Sequence, residues 1–503
     1  MSDTRRIAKN TLMLYFRQIL IMLVSLYTVR VVLSVLGAED YGIYNVVAGV
    51  VTMFGFLSGA MATASQRYFS YDLGKGNSEH LKTTFSVTFQ IYVLLALVIV
   101  LLAETAGLWF VNHKLVIPAE RMTAVNWIFQ AAVVSFLLTL ITTPYMACII
   151  AHENMNVYAY VSIVEVALKL GIVFLLRVLP YDKLIVYGVL LAAVALINTS
   201  IYRFYCRKHY AECKVKFVKD RALFKEIVSY SGWNLFGAAV GVVKNQLVNI
   251  AINLFCGSAV NAARAVAMQI TSAANSFSQN FSVAMNPNII KLYAGDEKET
   301  FKRFTFKSMR LVYLLMLFLS LPLVFEMPGI IRLWLKNPPL HSVAFARLSL
   351  IDALICSISY PLGTAIQATG KIRAYQSVVG TVLLLNFPIS YAALKAGMSP
   401  EWTFGIAIII SVVSLILRLI FMQTTVHIQV TGSAFVLNFL RMLVCTAVFV
   451  LFSLIYKFVV SCPLFLINLI AEYAIGVLFI CLCGLSRDEI SMAVKRISER
   501  RFR

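Results

Sequence analysis

Charged residues are scarce in this sequence. Only 13% of its 503 residues are charged, whereas a soluble domain has about 25%. Apolar residues make up 60%, and the mean hydropathy is +0.82. So few charges could not cover the surface of a soluble chain of this length, which excludes soluble enzymes and soluble binding modules. The apolar runs have the length of membrane-spanning helices, about 20 residues, which also excludes a β-barrel.

Acidic residues are the scarcer of the two charge types. The chain has 23 Asp and Glu against 44 Lys and Arg, a net charge of +21. In a membrane protein such an excess is typical of cytoplasmic loops that set orientation, so we predict no nucleic-acid partner. The basic residues concentrate in the loops 206–226 and 286–307 and in the tail. Both chain termini are therefore predicted to be cytoplasmic.

Motifs for catalysis or metal binding are also missing. No predicted outer loop exceeds about 15 residues, so no domain outside the membrane could hold a catalytic site. The glycine-rich segment 73–77 lacks the spacing of a phosphate-binding loop. The nine cysteines are scattered, and the six histidines have no paired spacing. We interpret the cysteines as small core residues and the histidines as solvated, and we predict no enzyme activity, no cofactor and no metal site.

What the sequence does contain is a series of long apolar runs. They predict an all-α integral membrane protein with about fourteen transmembrane helices. The predicted spans lie near 11–36, 41–66, 83–107, 122–151, 157–179, 184–205, 227–255, 259–285, 308–331, 345–368, 374–396, 402–424, 435–459 and 464–485.

The first twelve spans form an internal repeat. When the chain is aligned with itself so that Gly37 lies over Gly257, the segment 73–77 lies over 293–297 without a gap, and a nearly equal shift places Pro144 over Pro361. Both alignments pair spans of the same direction, which predicts a parallel repeat. We predict two six-helix lobes around a central cavity, 1–222 and 223–430, followed by two C-terminal helices and a basic tail in 431–503.

Charges inside membrane spans are costly and are therefore candidates for function. Lys244 lies near the middle of the seventh span, and Asn245 and Asn249 add a polar stripe beside it. The eighth span adds Arg264 and Asn275. These residues either bind substrate or join helices through hydrogen bonds.

The first span carries two arginines, Arg17 and Arg30. Thirteen residues separate them, about 20 Å along a helix, so they cannot bind one small anion together. They either receive an anion at opposite ends of the span or extend to opposite interfaces. The first span contains cations and no acid. Because cations bind anions through charge-assisted hydrogen bonds, this favours an anionic cargo.

Two acids within spans are candidates for ion coupling. Glu165 and Lys169 are four residues apart in the order that favours mutual neutralisation. Asp352 has no cation three or four residues away on its own helix. It either pairs across helices, with Arg418 as the candidate, or is a protonatable site.

Two segments of the sequence resemble a known family. They are Asn10-Thr-Leu-Met, continuing to Val35-Leu-Gly-Ala-Glu-Asp-Tyr-Gly-Ile-Tyr44, and Gln367-Ala-Thr-Gly-Lys-Ile-Arg-Ala-Tyr375. Both resemble polysaccharide-biosynthesis flippases of the Wzx type, which translocate O-antigen units and belong to the multidrug/oligosaccharidyl-lipid/polysaccharide exporter superfamily. The resemblance covers most of residues 8–430.

The resemblance implies a two-lobed transporter that alternates between inward-open and outward-open states. Its cargo would be an undecaprenyl-pyrophosphate-linked oligosaccharide, moved from the cytoplasmic to the outer leaflet of a bacterial inner membrane for O-antigen or capsule synthesis. Membrane lipids would be its surroundings, and polysaccharide-assembly proteins are candidate partners. The alternatives are a drug or cation antiporter of the same fold, which would need acids in the first two spans, and a membrane glycosyltransferase, which would need a larger loop.

Overall fold

A computed structural model describes residues 3–52, 54–113, 117–335, 338–429, 432–459, 465–486 and 489. Within those ranges the chain is almost entirely helical and contains no strand, which confirms the predicted fold class. A lipid-exposed backbone must satisfy its own hydrogen bonds, and a helix does this within one segment. The helices are α1 Asp3–Thr52, α2 Gly55–Lys75, α3 Ser78–Leu102, α4 Leu108–His113, α5 Met122–Ala151, α6 Met155–Val178, α7 Lys183–His209, α8 Arg221–Ala294, α9 Lys298–Trp334, α10 Ser342–Ala368, α11 Arg373–Leu384, α12 Asn386–Lys395, α13 Trp402–Thr424, α14 Ser433–Val459 and α15 Phe465–Phe479.

The described residues of every predicted span are almost entirely helical, although the spans near 41–66 and 374–396 are each divided between two helices. Among the described residues, eleven segments are long and apolar enough to cross a membrane. The predicted spans at 11–36, 41–66 and 259–285 are helical but are not among those eleven. The second is interrupted between α1 and α2. The third contains Arg264 and many amide and hydroxyl side chains, which lower its hydropathy.

The chain divides into two compact units, Met1–Ala238 and Ala239–Arg503. In the first unit α5 packs against α2 and α7, and α1 packs against α6. In the second unit α10 packs against α9 and α13. Each unit has its own apolar core, with Phe129 and Ile128 in the first and Phe306 and Leu317 in the second, all fully buried.

The two units repeat the same backbone break. Gly37 interrupts α1 with φ 80° and ψ 168°, and Gly257 interrupts α8 with φ 80° and ψ 177°. Residues other than glycine rarely adopt a positive φ, so the glycine at each break follows from the backbone geometry. The alignment of Gly37 with Gly257 therefore relates two equivalent helix junctions.

Two further pairs of positive-φ residues follow the predicted alignments. Gly76 (φ 67°) follows α2, and Asp296 (φ 56°) follows α8. The alignment of Gly37 with Gly257 also places Gly76 over Asp296. Glu153 (φ 60°) follows α5 and Gly370 (φ 77°) follows α10, and the alignment of Pro144 with Pro361 places these two together. The repeat is thus present in turn geometry even where residue types differ.

The C-terminal helices belong to the core of the second unit. Both α14 and α15 pack against α9. The Tyr313 and Thr446 hydroxyls lie 2.7 Å apart, and Lys457 Nζ lies 3.3 Å from the Glu326 carboxylate. At the other end of α9, the Arg310 guanidinium donates to Glu489 at 2.6 Å.

The contact between α14 and α15 depends on one glycine. A Cβ atom at Gly476 would lie 2.7 Å from the Phe449 ring, which is fully buried, and 3.5 Å from Phe318. Gly476→Ala should therefore lower the stability of the folded protein by about 1–3 kcal/mol, the usual cost of overpacking. We expect a lower midpoint of thermal unfolding for the detergent-purified protein.

Gly171→Ala is the matched control for this substitution. Gly171 lies within α6, and a Cβ atom there would have no neighbour within 4 Å. The control should unfold at the wild-type temperature or above it, because alanine favours the helix by about 0.5–1 kcal/mol over glycine. Equal midpoints for the two variants would contradict the described packing of α14 on α15.

Candidate functional site

The second unit contains a polar cavity of about 210 Å³. Its walls come from both halves of α8 and from α10, α12 and α13. Five of the residues selected from the sequence line it, namely Lys244, Asn245, Arg264, Asn275 and Asp352. The structure adds Val248, Met268, Thr271, Ser349, Ala353, Cys356, Tyr360, Asn386, Thr403, Phe404 and Ala407.

Helical spacing directs these side chains into one space. On α8, Arg264, Thr271 and Asn275 lie seven and four residues apart, which places them on one face. The neighbouring Ala263 and Ala267 are fully buried in the core between α8, α9 and α10, and small residues there allow close helix packing. The break at Gly257 lets residues from both halves of α8 line the same cavity.

Arg264 is a buried cation that forms no ion pair within the described chain. Its residue is 7% exposed, and no carboxylate of the described chain lies within 4.0 Å of its guanidinium. Its Cζ atom lies 5.3 Å from the centroid of the Phe404 ring, a distance at which a cation interacts favourably with the aromatic face. An unpaired buried charge costs several kcal/mol, which makes Arg264 a candidate binding residue.

Lys244 is the second cation of the cavity. It is half-buried, and its neighbour Asn245 is exposed at the rim. Asn249, one turn further along α8, is half-buried and is not among the lining residues.

Asp352 is the acid of the cavity wall, and its partner differs from the predicted one. The Ser411 hydroxyl donates to Asp352 Oδ1 at 2.5 Å. Arg418, the predicted partner, donates from Nε to the Tyr375 hydroxyl at 3.2 Å. Ser411 lies one turn of α13 after Ala407, which lines the cavity. Its hydroxyl therefore lies beside the Asp352 carboxylate, and Arg418 does not.

Two amide groups of the lining have hydrogen-bonding capacity to spare. Asn275 Oδ1 and Asn386 Nδ2 are buried and make no hydrogen bond within the described chain. Thr271 and Ser349, by contrast, satisfy each other at 2.6 Å. An acceptor and a donor therefore accompany the two cations at the cavity wall.

The other predicted residues lie in the first unit. The Arg17 guanidinium stacks on the Tyr158 ring at 4.4 Å, and its Nε and Nη1 atoms make no hydrogen bond within the described chain. The side chain of Arg30 lies outside the described residues. Glu165 pairs with Lys169 at 2.6 Å, which confirms the predicted mutual neutralisation, and Asn198 also donates to Glu165. This pair lines a cavity of about 260 Å³ in the first unit.

Helices α12 and α13 contribute residues to the site that the sequence did not identify. Asn386, Thr403 and Phe404 lie in apolar surroundings and carry no charge, so nothing in the local sequence distinguishes them. On α10 the sequence does mark the lining, because Asp352, Cys356 and Tyr360 recur at four-residue intervals. That stripe marks the face that lines the cavity.

A family model described as "Polysaccharide biosynthesis protein" matches residues 7–293 of the chain. The match covers more than half of the sequence. No curated protein matches the sequence.

Solved structures of transporters share the fold. An outward-facing multidrug resistance MATE family transporter of the MOP superfamily has a TM-score of 0.73 at 10% identity, covering 85% of this chain and 96% of that chain. MATE in the bent conformation has a TM-score of 0.72 at 11% identity, covering 84% and 96%. A MOP superfamily transporter from Pyrococcus furiosus, described as having a binding pocket of reverse polarity that suggests a different function, has a TM-score of 0.69 at 11% identity, covering 85% and 96%. The chain therefore has a MATE-like membrane-transporter fold and belongs to the polysaccharide biosynthesis protein family.

Proposed function

We propose that this protein is a flippase for a lipid-linked oligosaccharide. It moves an undecaprenyl-pyrophosphate-linked unit from the cytoplasmic to the outer leaflet of a bacterial inner membrane by alternating access, and the unit is then used for O-antigen or capsule synthesis. Both chain termini lie in the cytoplasm, and polysaccharide-assembly proteins are its partners. Family membership supports the polysaccharide pathway, and the transporter fold supports movement rather than chemistry.

The observation that carries the proposal is the charge of the cavity in the second unit. Lys244 and Arg264 face a space with one acid, Asp352, and Arg264 is buried. A pyrophosphate brings about two negative charges, and burying them unpaired would cost several kcal/mol each. The two cations supply charge-assisted hydrogen bonds, and the Asn275 and Asn386 amides supply neutral ones.

The size of the cavity indicates which part of the cargo it holds. A volume of about 210 Å³ is below the range of about 300–1,000 Å³ that is typical of pockets for drug-sized ligands. That space suits a phosphate head group and is far too small for an oligosaccharide. We therefore assign the cavity to the pyrophosphate, and the sugars and the prenyl chain lie outside it.

The first unit contributes a second cationic position. Arg17 has two buried guanidinium nitrogens that make no hydrogen bond within the described part of the chain, so it can bind an anion while stacked on Tyr158. We propose that Arg17 and Arg30 contact the pyrophosphate at other stages of transport, and that Asn249 extends the polar stripe of Lys244 and Asn245.

Two observations favour a drug or cation antiporter instead. The fold is that of MATE transporters, and Asp352 is an acid in the cavity wall. An antiporter would use that acid to bind a cationic drug. Two cations beside it repel such a cargo, so we rank the flippase first.

Removal of either cavity cation should impair transport. Lys244→Gln and Arg264→Gln each remove a charge-assisted hydrogen bond worth about 1.5–3 kcal/mol, which corresponds to roughly 10- to 100-fold in transport rate. The expected result is loss of surface polysaccharide and accumulation of lipid-linked oligosaccharide in the inner leaflet at unchanged protein abundance. Lys244→Arg should retain part of the activity, because it keeps the charge.

Lys395→Gln is the matched control, because Lys395 is an exposed lysine at the end of α12 in the same unit. It should leave surface polysaccharide at the wild-type level. Normal polysaccharide in both cavity variants would contradict the assignment of the cavity to the cargo.

Asp352→Asn tests ion coupling. Asparagine has nearly the same shape as aspartate and can still accept the hydrogen bond from Ser411, so the protein should remain folded. We expect transport into vesicles to lose its dependence on an imposed proton or sodium gradient. The exposed acid Asp296 provides the control, Asp296→Asn, which should keep that dependence.

The same vesicles separate the two functions. If Asp352→Asn keeps the wild-type gradient dependence, Asp352 is not the coupling site. If the wild-type protein exports cationic drugs and does not move lipid-linked oligosaccharide, the antiporter interpretation replaces the flippase.

A further inference from the structure

A cluster of metal-binding side chains lies at one end of the first unit, away from its cavity. Cys148 and His152 are four residues apart at the end of α5, so they face the same side of that helix. Glu212 and Cys213 are consecutive residues of the short 3₁₀ segment Ala211–Cys213 that follows α7. We propose that Cys148, His152, Glu212 and Cys213 form a structural zinc site.

Three of the four donor atoms already form a compact group, and the fourth lies beside one of them. The Sγ atom of Cys148, an imidazole nitrogen of His152 and a carboxylate oxygen of Glu212 all lie within 4.8 Å of one another. Cys148 Sγ lies 3.8 Å from Glu212 Oε1 and 3.6 Å from Cys213 Sγ. A tetrahedral zinc ion at about 2.3 Å from each sulfur holds two sulfurs about 3.8 Å apart.

Two adjustments are needed when the metal binds. Cys213 Sγ lies near Cys148 Sγ but is not part of the compact group of Cys148, His152 and Glu212, so its side chain must turn toward the metal. His152 Nε2 lies 2.5 Å from Glu212 Oε1, which is a hydrogen bond. Two ligands at about 2.0 Å from a tetrahedral zinc lie about 3.3 Å apart. Small rotations of these two side chains would widen the gap, and the metal would replace the hydrogen bond.

The chemistry of the cluster selects zinc. Two thiols, one imidazole and one carboxylate are the donors that tetrahedral zinc uses, whereas calcium and magnesium prefer oxygen alone. Cys148 and Cys213 are at most 1% exposed and Glu212 is 8% exposed, so the site is closed as structural zinc sites are. The His152 side chain is a quarter exposed and leaves a path for the ion.

The surrounding structure already orients one of the ligands, His152. The His152 ring stacks on Tyr210 at 4.2 Å, and the Tyr210 hydroxyl accepts a hydrogen bond from Asn154 at 2.6 Å. Cys206 lies in the same cluster, but its thiol donates to the carbonyl oxygen of Tyr145 at 3.6 Å. The metal would join the turn after α5 to the segment after α7, just before α8 begins.

The test uses the full-length protein, purified without chelator and then exchanged into buffer with either zinc or cobalt. We expect one zinc ion per chain by mass spectrometry of the metal. Cobalt should give thiolate-to-metal charge-transfer bands and the visible bands of tetrahedral coordination. Zinc, and not magnesium, should raise the thermal unfolding temperature of the chelator-treated protein.

Three variants and two controls complete the experiment. Cys148→Ser, Cys213→Ser and His152→Gln should each lose the bound zinc while remaining monodisperse. Cys206→Ser, which keeps the hydrogen bond to Tyr145, and Cys481→Ser, an exposed position, should keep it. A wild-type protein without zinc and without cobalt–thiolate bands would overturn the proposal, as would equal zinc loss in Cys206→Ser. Because metal content is measured, the result does not depend on which cargo the protein moves.

Discussion

A charge in an apolar helical bundle is stable only when another group compensates it, and this constraint governs the second unit. Several charged side chains of the described helices form an ion pair, such as Glu165 with Lys169 and Lys457 with Glu326. Arg264 has no such partner: it is buried, packs on an aromatic ring and lines a cavity in which no carboxylate of the described chain lies within 4.0 Å of its guanidinium. The proposed cargo follows from that uncompensated charge.

The helical architecture could be predicted from the sequence because it depends on a strong and local signal. Runs of about 20 apolar residues leave the backbone no alternative to the helix in lipid. The repeat was also accessible, since Gly37 and Gly257 are at equivalent breaks with the same φ. The interruption at Leu385, which separates α11 from α12, was not predicted, although Pro388 lacks the backbone N–H that would donate to the carbonyl oxygen of Leu384.

The candidate site could be predicted only in part. The cost of charge in lipid identified Lys244, Arg264 and Asp352 one by one, but it could not show that they line one cavity of the second unit. Choosing Arg418 as the partner of Asp352 relied on charge alone, whereas the register of α13 places Ser411 against the carboxylate. The cluster of Cys148, His152, Glu212 and Cys213 was missed because its two halves are distant in sequence, and only the packing of α5 beside α7 joins them.

The central claim is that the charged head of a lipid-linked sugar enters a cationic cavity. The most direct measurement compares two cargoes in vesicles that contain the purified protein: an undecaprenyl-pyrophosphate-linked oligosaccharide and the same sugar on a neutral prenyl anchor without phosphate. Protein-dependent movement to the opposite leaflet is followed by accessibility of the sugar to an added lectin. The account predicts that the pyrophosphate-linked cargo moves and the neutral one does not. Equal movement of both, or movement of the neutral cargo alone, would contradict it.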